Sequence, residues 1–289
     1  MNKISYSQYT MWENCPMAWK LKYVDGHRLD DASIHTVFGT SMHEAIQDWL
    51  DTLYNGSEVV AKTVDLHEGF KENFIKLFKE STEIDEDGNK LFLSDKKTLM
   101  EFYDHGCKIL SYVQQNYKKI FPTKNVKLHS IEFPLEIEVQ KGVQYVGYVD
   151  VITYNEKTGK YVLYDLKTST RGWSSYQKND PVKRGQLILY KKFFAEQVGV
   201  DLDNISVEFI ILKRIISEDA PFPIPRVSKF VPPNGKPTLN NTWRMFERFI
   251  TSCFNESGEY ISEQNATPSK QNCRWCKYKD RKDLCPYGV

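Results

Sequence analysis

The stretch Gly147–Ser169, GYVDVITYNEKTGKYVLYDLKTS, constrains this chain more than any other. Two runs rich in β-branched and aromatic residues flank a polar turn that contains Gly159, which is the pattern of a β-hairpin. A four-residue loop over Glu156–Gly159 pairs Asn155 with Lys160, places Tyr154 opposite Tyr161 and sets Asp150 opposite Asp165. Like charges opposed at roughly 5 Å destabilise a sheet. Side chains alternate along a strand, so Asp165 and Lys167 share one face with Tyr161 and Leu163, while Val162, Tyr164 and Leu166 line the other. Two carboxylates in an apolar strand pair are costly unless something positive lies between them. A divalent metal ion meets that need, and a lysine two residues on can serve the same site. A solvated hairpin with one Asp–Lys pair is the plainer alternative, because D-x-K alone is a short and common motif.

A chain of 289 residues forms one large domain, or a core with an appended piece. The net charge of +1 does not by itself select nucleic acid as a partner. Charge is uneven, however. From Lys167 to Lys192 seven Lys and Arg residues are opposed by Asp180 alone, and from Lys270 to Asp283 six are opposed by Asp280 and Asp283. Such stretches can follow a phosphate backbone, and can equally form a solvated face. The start, MNKISYSQYTMWENC, is polar and aromatic, with no secretory or membrane-spanning run. A reducing cytoplasm is therefore expected, where clustered cysteines bind metal rather than pair as disulfides. No G-x-x-x-x-G-K-[ST] is present, so no ATP-driven motor is built in.

The first part of the chain, to about residue 125, reads as mainly helical. Helical spacing of Met42, Ala45, Ile46, Trp49 and Leu50 predicts a helix over Phe38–Asp51, with Ser41 and Glu44 as a capping box. Glu68–Lys79 and Asp95–Ile120 also read as helices, separated by an acidic loop over Ser81–Asn89. Strands dominate from Lys127 to Lys167. A helix is expected over Lys183–Val198, a buried strand over Val207–Lys213, an irregular proline-rich stretch over Ser217–Lys236, and a closing helix over Thr242–Asn255. Helices followed by a sheet that a helix interrupts make an α/β core with helical additions.

Taken singly, the remaining polar residues say little. His43 lies on the margin of an apolar stripe, and Gln186 and Tyr190, four apart, share a helix face that packing alone could explain. In order, however, a helical His43, a strand Asp150, then Asp165-Leu166-Lys167, then Gln186 and Tyr190 resemble the PD-(D/E)xK nuclease superfamily, in its RecB-like branch with Cas4 and AddB. The opening ISYSQYTMWENCPMAWKLKYVDG is similar to that family's start. The resemblance spans most of the chain, with residues 51–125 and 215–268 unmatched. It implies a restriction-endonuclease-like core: a central mixed sheet flanked by helices, with helical additions and a cysteine-cluster tail. It makes residues 1–289 one nuclease domain, with a mainly helical part over 1–125, the core over 126–215 and the tail over 265–289. It also implies that His43, Asp150, Asp165 and the backbone carbonyl of Leu166 hold Mg2+ or Mn2+, a donor set that suits those ions. Lys167 would then orient water, and Gln186 and Tyr190 would position the scissile strand. Val149 precedes Asp150 where the family motif is named for proline.

The tail reads NCRWCKYKDRKDLCPYG. Cys273 and Cys276 make C-x2-C, Cys285 follows, and a fourth ligand must come from elsewhere; Cys15 beside Pro16 is the candidate. The resemblance implies that these four hold a [4Fe–4S] cluster that staples the chain ends, and four thiolates also suit Zn2+. Cys107 and Cys253 sit in helical patterns as core residues. The expected activity is metal-dependent exonucleolytic hydrolysis of DNA with a free end, alone or beside a separate helicase or recombination partner, with no membrane association. The alternative is a DNA-binding accessory subunit with an idle site. Arg171, Trp173, Tyr176, Lys183 and Arg184 are the expected DNA contacts, through stacking and charge; local loop packing equally accounts for Trp173 and Tyr176.

Overall fold

The computed structural model describes residues 1–29, 32–84, 90–217 and 219–289; residues 85–89 of the expected acidic loop lie outside the described residues. The elements run β1 (Asn2–Ile4), α1 (Tyr6–Asn14), α2 (Pro16–Tyr23), α3 (Ile34–Asp51), a π-helical turn (Thr52–Gly56), α4 (Glu58–Thr63), α5 (Leu66–Glu80), the short pair β2 (Glu83–Ile84) and β3 (Lys90–Leu91), and α6 (Lys96–Ile120). There follow β4 (Val126–Gln140), β5 (Val143–Asn155), β6 (Lys160–Ser169), α7 (Ser175–Asn179), α8 (Pro181–Val198), β7 (Ile205–Lys213), β8 (Val227–Phe230), α9 (Lys236–Cys253) and α10 (Lys270–Cys273).

Six strands form one mixed sheet in the order β1-β5-β6-β7-β8, with β4 paired to the other edge of β5. The β5–β6 hairpin and β4–β5 are antiparallel. The β6–β7 pair is parallel, which requires a crossover, and α8 supplies it. Alternation along the strands then sends two apolar sets to opposite faces. Tyr145, Leu163, Val207 and Phe209 pack with residues of α1, α8 and α9. Val151, Tyr164, Leu166 and Ile210 pack with residues of α3, α5 and α6. Cys253 belongs to the first core and Cys107 packs against the second, as expected of core residues.

Three local expectations are corrected. The helix that carries His43 begins at Ile34, because Ser33 and Thr36 supply a reciprocal capping box and the apolar spacing runs back through Val37. Ser41 and Glu44 therefore cap nothing; Ser41 is buried, and its hydroxyl donates to the Val37 carbonyl at 2.9 Å. The stretch Ser217–Lys236 contains a strand, β8, which pairs antiparallel with β7 from Phe209↔Phe230 to Leu212↔Val227. The closing helix starts at Lys236, six residues before Thr242, with Pro237 in its first turn where a missing N–H costs nothing. Among the described residues no helix is long and apolar enough to cross a membrane.

Candidate active site

Backbone pairing between β5 and β6 follows the expected register, from Asn155↔Lys160 through Tyr154↔Tyr161 to Val151↔Tyr164, and stops there. One step further lie Asp150 and Asp165. Here the Leu166 N–H donates to Asp150 Oδ2 at 2.6 Å. A carboxylate has replaced a strand carbonyl as acceptor. Meanwhile β6 stays paired to β7 as far as Ser169↔Lys213, and β1 takes the same edge of β5 at Val143–Tyr145. Between those two pairings β5 has no ladder partner on that edge among the described residues, and the carboxylates lie at this gap.

Asp150 is 9% exposed and Asp165 1%. Burial pushes both carboxyls up to about 6, against the pull of the Lys167 ammonium; Glu132 raises Asp150 further and Asp150 raises Asp165. Lys167 Nζ donates to Asp165 Oδ1 at 3.0 Å and lies 2.8 Å from Oδ2. The second contact is a charge contact only: among the described residues the buried Oδ2 accepts no hydrogen bond. Burial lowers the Lys167 pKa, but Asp165 and Asp150 outweigh it and hold the ammonium above its usual value. His43 Nδ1 stands 3.6 Å from Asp150 Oδ2. Burial, and then the Lys167 charge, lower its pKa, which favours the neutral imidazole. The Leu166 backbone carbonyl faces the same ring.

From α8, Gln186 Nε2 donates to the Tyr190 hydroxyl at 2.9 Å. Burial, then the Asp165 charge, push that hydroxyl up to about 12, so it remains a neutral donor beside the carboxylates. Asp180 orients the helix by accepting from the Val182 N–H at 2.9 Å, and Pro181 opens its first turn. The structure thus brings His43, Asp150, Asp165, Leu166, Lys167, Gln186 and Tyr190 into one place.

Two neighbours have no counterpart in the sequence reading. Glu132 on β4 lies between the paired steps Ile131↔Val151 and Phe133↔Val149, which sets it beside Asp150. Its φ of +48° is a left-handed conformation that costs a non-glycine residue energy. Gln47, buried and one turn beyond His43 on α3, donates to Glu132 Oε1 at 2.5 Å and to the Asp150 backbone carbonyl at 3.1 Å. The i, i+4 spacing of His43 and Gln47 was the available signal. Gln47→Leu leaves the Asp150 carbonyl without its donor. We expect a loss of about 1–3 kcal/mol in thermal unfolding and weaker catalysis; unchanged melting and rate would show that Gln47 is incidental.

A cavity of about 850 Å3 opens beside Lys167 and is lined by Trp173, Tyr176 and Lys183 among others. Arg171 instead lines a separate cavity with Lys213, and Arg184 lines neither. Trp173 is half-buried, its ring 4.8 Å from Phe209, with Lys183 Nζ 5.8 Å from its centroid. Tyr176 is exposed. Cys15, Cys273, Cys276 and Cys285 line one small cavity. Burial, then the neighbouring backbone and the other three cysteines, set the Cys276 thiol, whose pKa is raised overall.

The donor chemistry at the strand gap fits a divalent cation: two buried carboxylates, an unsatisfied oxygen, a neutral imidazole and a carbonyl. Among the described residues no group of three or more His, Cys, Asp or Glu side chains is converged in metal-holding geometry. At the strand gap the Lys167 ammonium lies against Asp165.

A mixed sheet flanked by helices, with strand-borne Asp, Asp and Lys at a break in the ladder, defines a nuclease-like class of core. The family model of the PD-(D/E)XK nuclease superfamily matches residues 3–285, and the chain belongs to that superfamily. Among solved structures, a presumed exonuclease from Eubacterium rectale aligns at 13% identity with a TM-score of 0.47, covering 86% of this chain and 78% of its own. SSO0001 aligns at 11% identity with a TM-score of 0.31, covering 98% and 96%. No curated protein matches the sequence.

Proposed function

We propose that this chain is a metal-dependent DNA exonuclease of the RecB-like branch, similar to Cas4 and AddB, with a [4Fe–4S] cluster on its four outlying cysteines. The observation that carries the reading is the pair of buried carboxylates, Asp150 and Asp165, at a gap in the sheet beside an open cleft. A purely structural sheet gains nothing from two such charges.

His43, Asp150, Asp165 and the Leu166 carbonyl would hold Mg2+ or Mn2+. When bound, such an ion lowers the pKa of water and neutralises charge on a phosphoryl group. Lys167 is placed to orient the attacking water and to stabilise charge developing on the phosphate. Gln186 and Tyr190 donate hydrogen bonds that position the strand. Trp173, Tyr176 and Lys183 line its approach, and Arg171 and Arg184 add positive charge outside the cleft. The four cysteines join the N-terminal and C-terminal segments, and the cluster has no redox part in hydrolysis. The site acts on DNA ends in the cytoplasm, alone or beside a separate helicase or recombination partner.

End-labelled linear DNA and closed circles, each incubated with Mn2+ or Mg2+, test the exonuclease reading. Loss of linear DNA with circles intact is the expected result. Cutting of circles would overturn the requirement for an end. Metal analysis accompanies it: about four iron atoms per chain fit the cluster, and about one zinc ion per chain would replace it.

A further inference from the structure

The cleft beside Lys167 and Gln186 extends away from the active site. Its cavity adjoins a second, of about 400 Å3, and Ser7, Thr10, Asn14 and Gln271 line both. Ser7, Thr10 and Asn14 are spaced three and four apart, so one polar face of α1 floors the two cavities together. The second cavity reaches the cysteine region, where Trp275 and Lys277 line it.

Trp275 is 82% exposed, more than any other large apolar side chain among the described residues. An exposed indole lining a groove offers a flat face on which a base can stack. The Arg274 guanidinium stands 5.1 Å from its ring centroid. Lys22, in the same cavity, is held below its usual pKa by burial and then by repulsion from Arg28 and Lys277. Positive charge therefore crowds this end. Two acids line the first cavity, and both are engaged. Glu13 pairs with Arg248 at 2.6 Å, and Asp180 caps α8.

Aromatic faces interleaved with cations along a groove are the chemistry that binds an unpaired strand: bases stack and phosphates are tracked by charge. We propose that a single nucleic-acid strand runs from the active site along the Ser7–Thr10–Asn14 face to Trp275, where a base stacks on the indole and Arg274 and Lys277 meet the backbone. This rests on the nuclease reading above and gives the cysteine region a part in substrate binding.

The test is binding of labelled oligodeoxynucleotides of about 4 and about 16 nucleotides, lengths that bracket common single-strand sites. Fluorescence anisotropy is followed on the full chain in EDTA. Trp275→Ala removes an exposed ring. Ser7→Glu adds an acid to the first turn of α1, where the helix dipole favours it. Each variant should bind the long strand about tenfold more weakly, as expected for one lost stack or phosphate contact. Trp275→Phe should restore the affinity, and the advantage of the long strand over the short should shrink in Trp275→Ala. Long-strand binding by both variants equal to wild type would overturn the path. A loss in Ser7→Glu alone would overturn its extension to Trp275. If wild type neither binds nor cuts DNA, the nuclease reading itself fails; if it does both while the variants match it, only the path fails.

Discussion

Asp165→Asn should abolish DNA cleavage and, at the same time, raise the melting temperature of the metal-free protein. The two effects share one cause. Asp165 is 1% exposed and carries a charge that burial, with Asp150 beside it, makes costly; its pKa near 6 means that it is ionised at pH 7.5. A rise of about 2 units above the ordinary carboxyl value corresponds to about 3 kcal/mol of unfavourable charge at that pH. Asparagine keeps the shape and removes the charge. Lys167 keeps the attraction of Asp150. The expected gain is about 1–3 kcal/mol, because coupled buried groups relax in part. The loss in rate should be at least about a thousandfold, some 4 kcal/mol at the barrier, since a carboxylate oxygen for metal and the partner of Lys167 both go. Thermal melts in EDTA and cleavage rates in Mn2+ measure the two. Retained cleavage would remove Asp165 from the chemistry. Loss of rate together with loss of stability would mean that the ion pair chiefly holds the sheet.

Acidification of the metal-free protein from pH 8 towards pH 5 should stabilise it relative to Asp150→Asn/Asp165→Asn. Both carboxyls sit near 6 in the folded state because of burial, and near 4 in the unfolded chain. Between those values the folded protein binds protons that the unfolded chain does not. Stability from these groups therefore falls as pH rises through that window and levels off above it. This is the reverse of an ordinary salt-bridged carboxylate. His43 works the other way: its lowered pKa costs stability as pH falls below its unfolded value, and losing the Asp165 charge, which raises it, lowers it further in the double variant, so it widens the difference in the same direction. The difference between the two melting curves is thus the measured quantity. An equal pH dependence in both proteins would show that the two acids are not perturbed as described.

The hairpin was legible because its turn chemistry pins the register: Asn155 accepts from the Lys157 and Thr158 N–H groups, and Gly159 takes a φ of +68°. Once register is set, alternation alone places Asp165 and Lys167 on one face. The gap beyond Val151↔Tyr164 was not legible, because nothing local marks where a ladder yields to a side chain. Nor was β1, a three-residue strand that pairs parallel with a segment some 140 residues away. Glu132 was hidden by its setting, an alternating strand in which a glutamate reads as solvent-facing; the left-handed backbone there has no sequence signature. Ser41 misled for the opposite reason. It has the composition of a cap, yet in the structure it lies about two turns inside the helix.

The buried pair Asp150 and Asp165 exists, on this reading, to hold a divalent cation. Calorimetric titration of Mn2+ into wild type and into Asp165→Asn tests that directly, with no dependence on substrate. Saturable binding by wild type at pH 7.5, lost in the variant, is the predicted result. Equal binding by both proteins, or none by wild type, would contradict it.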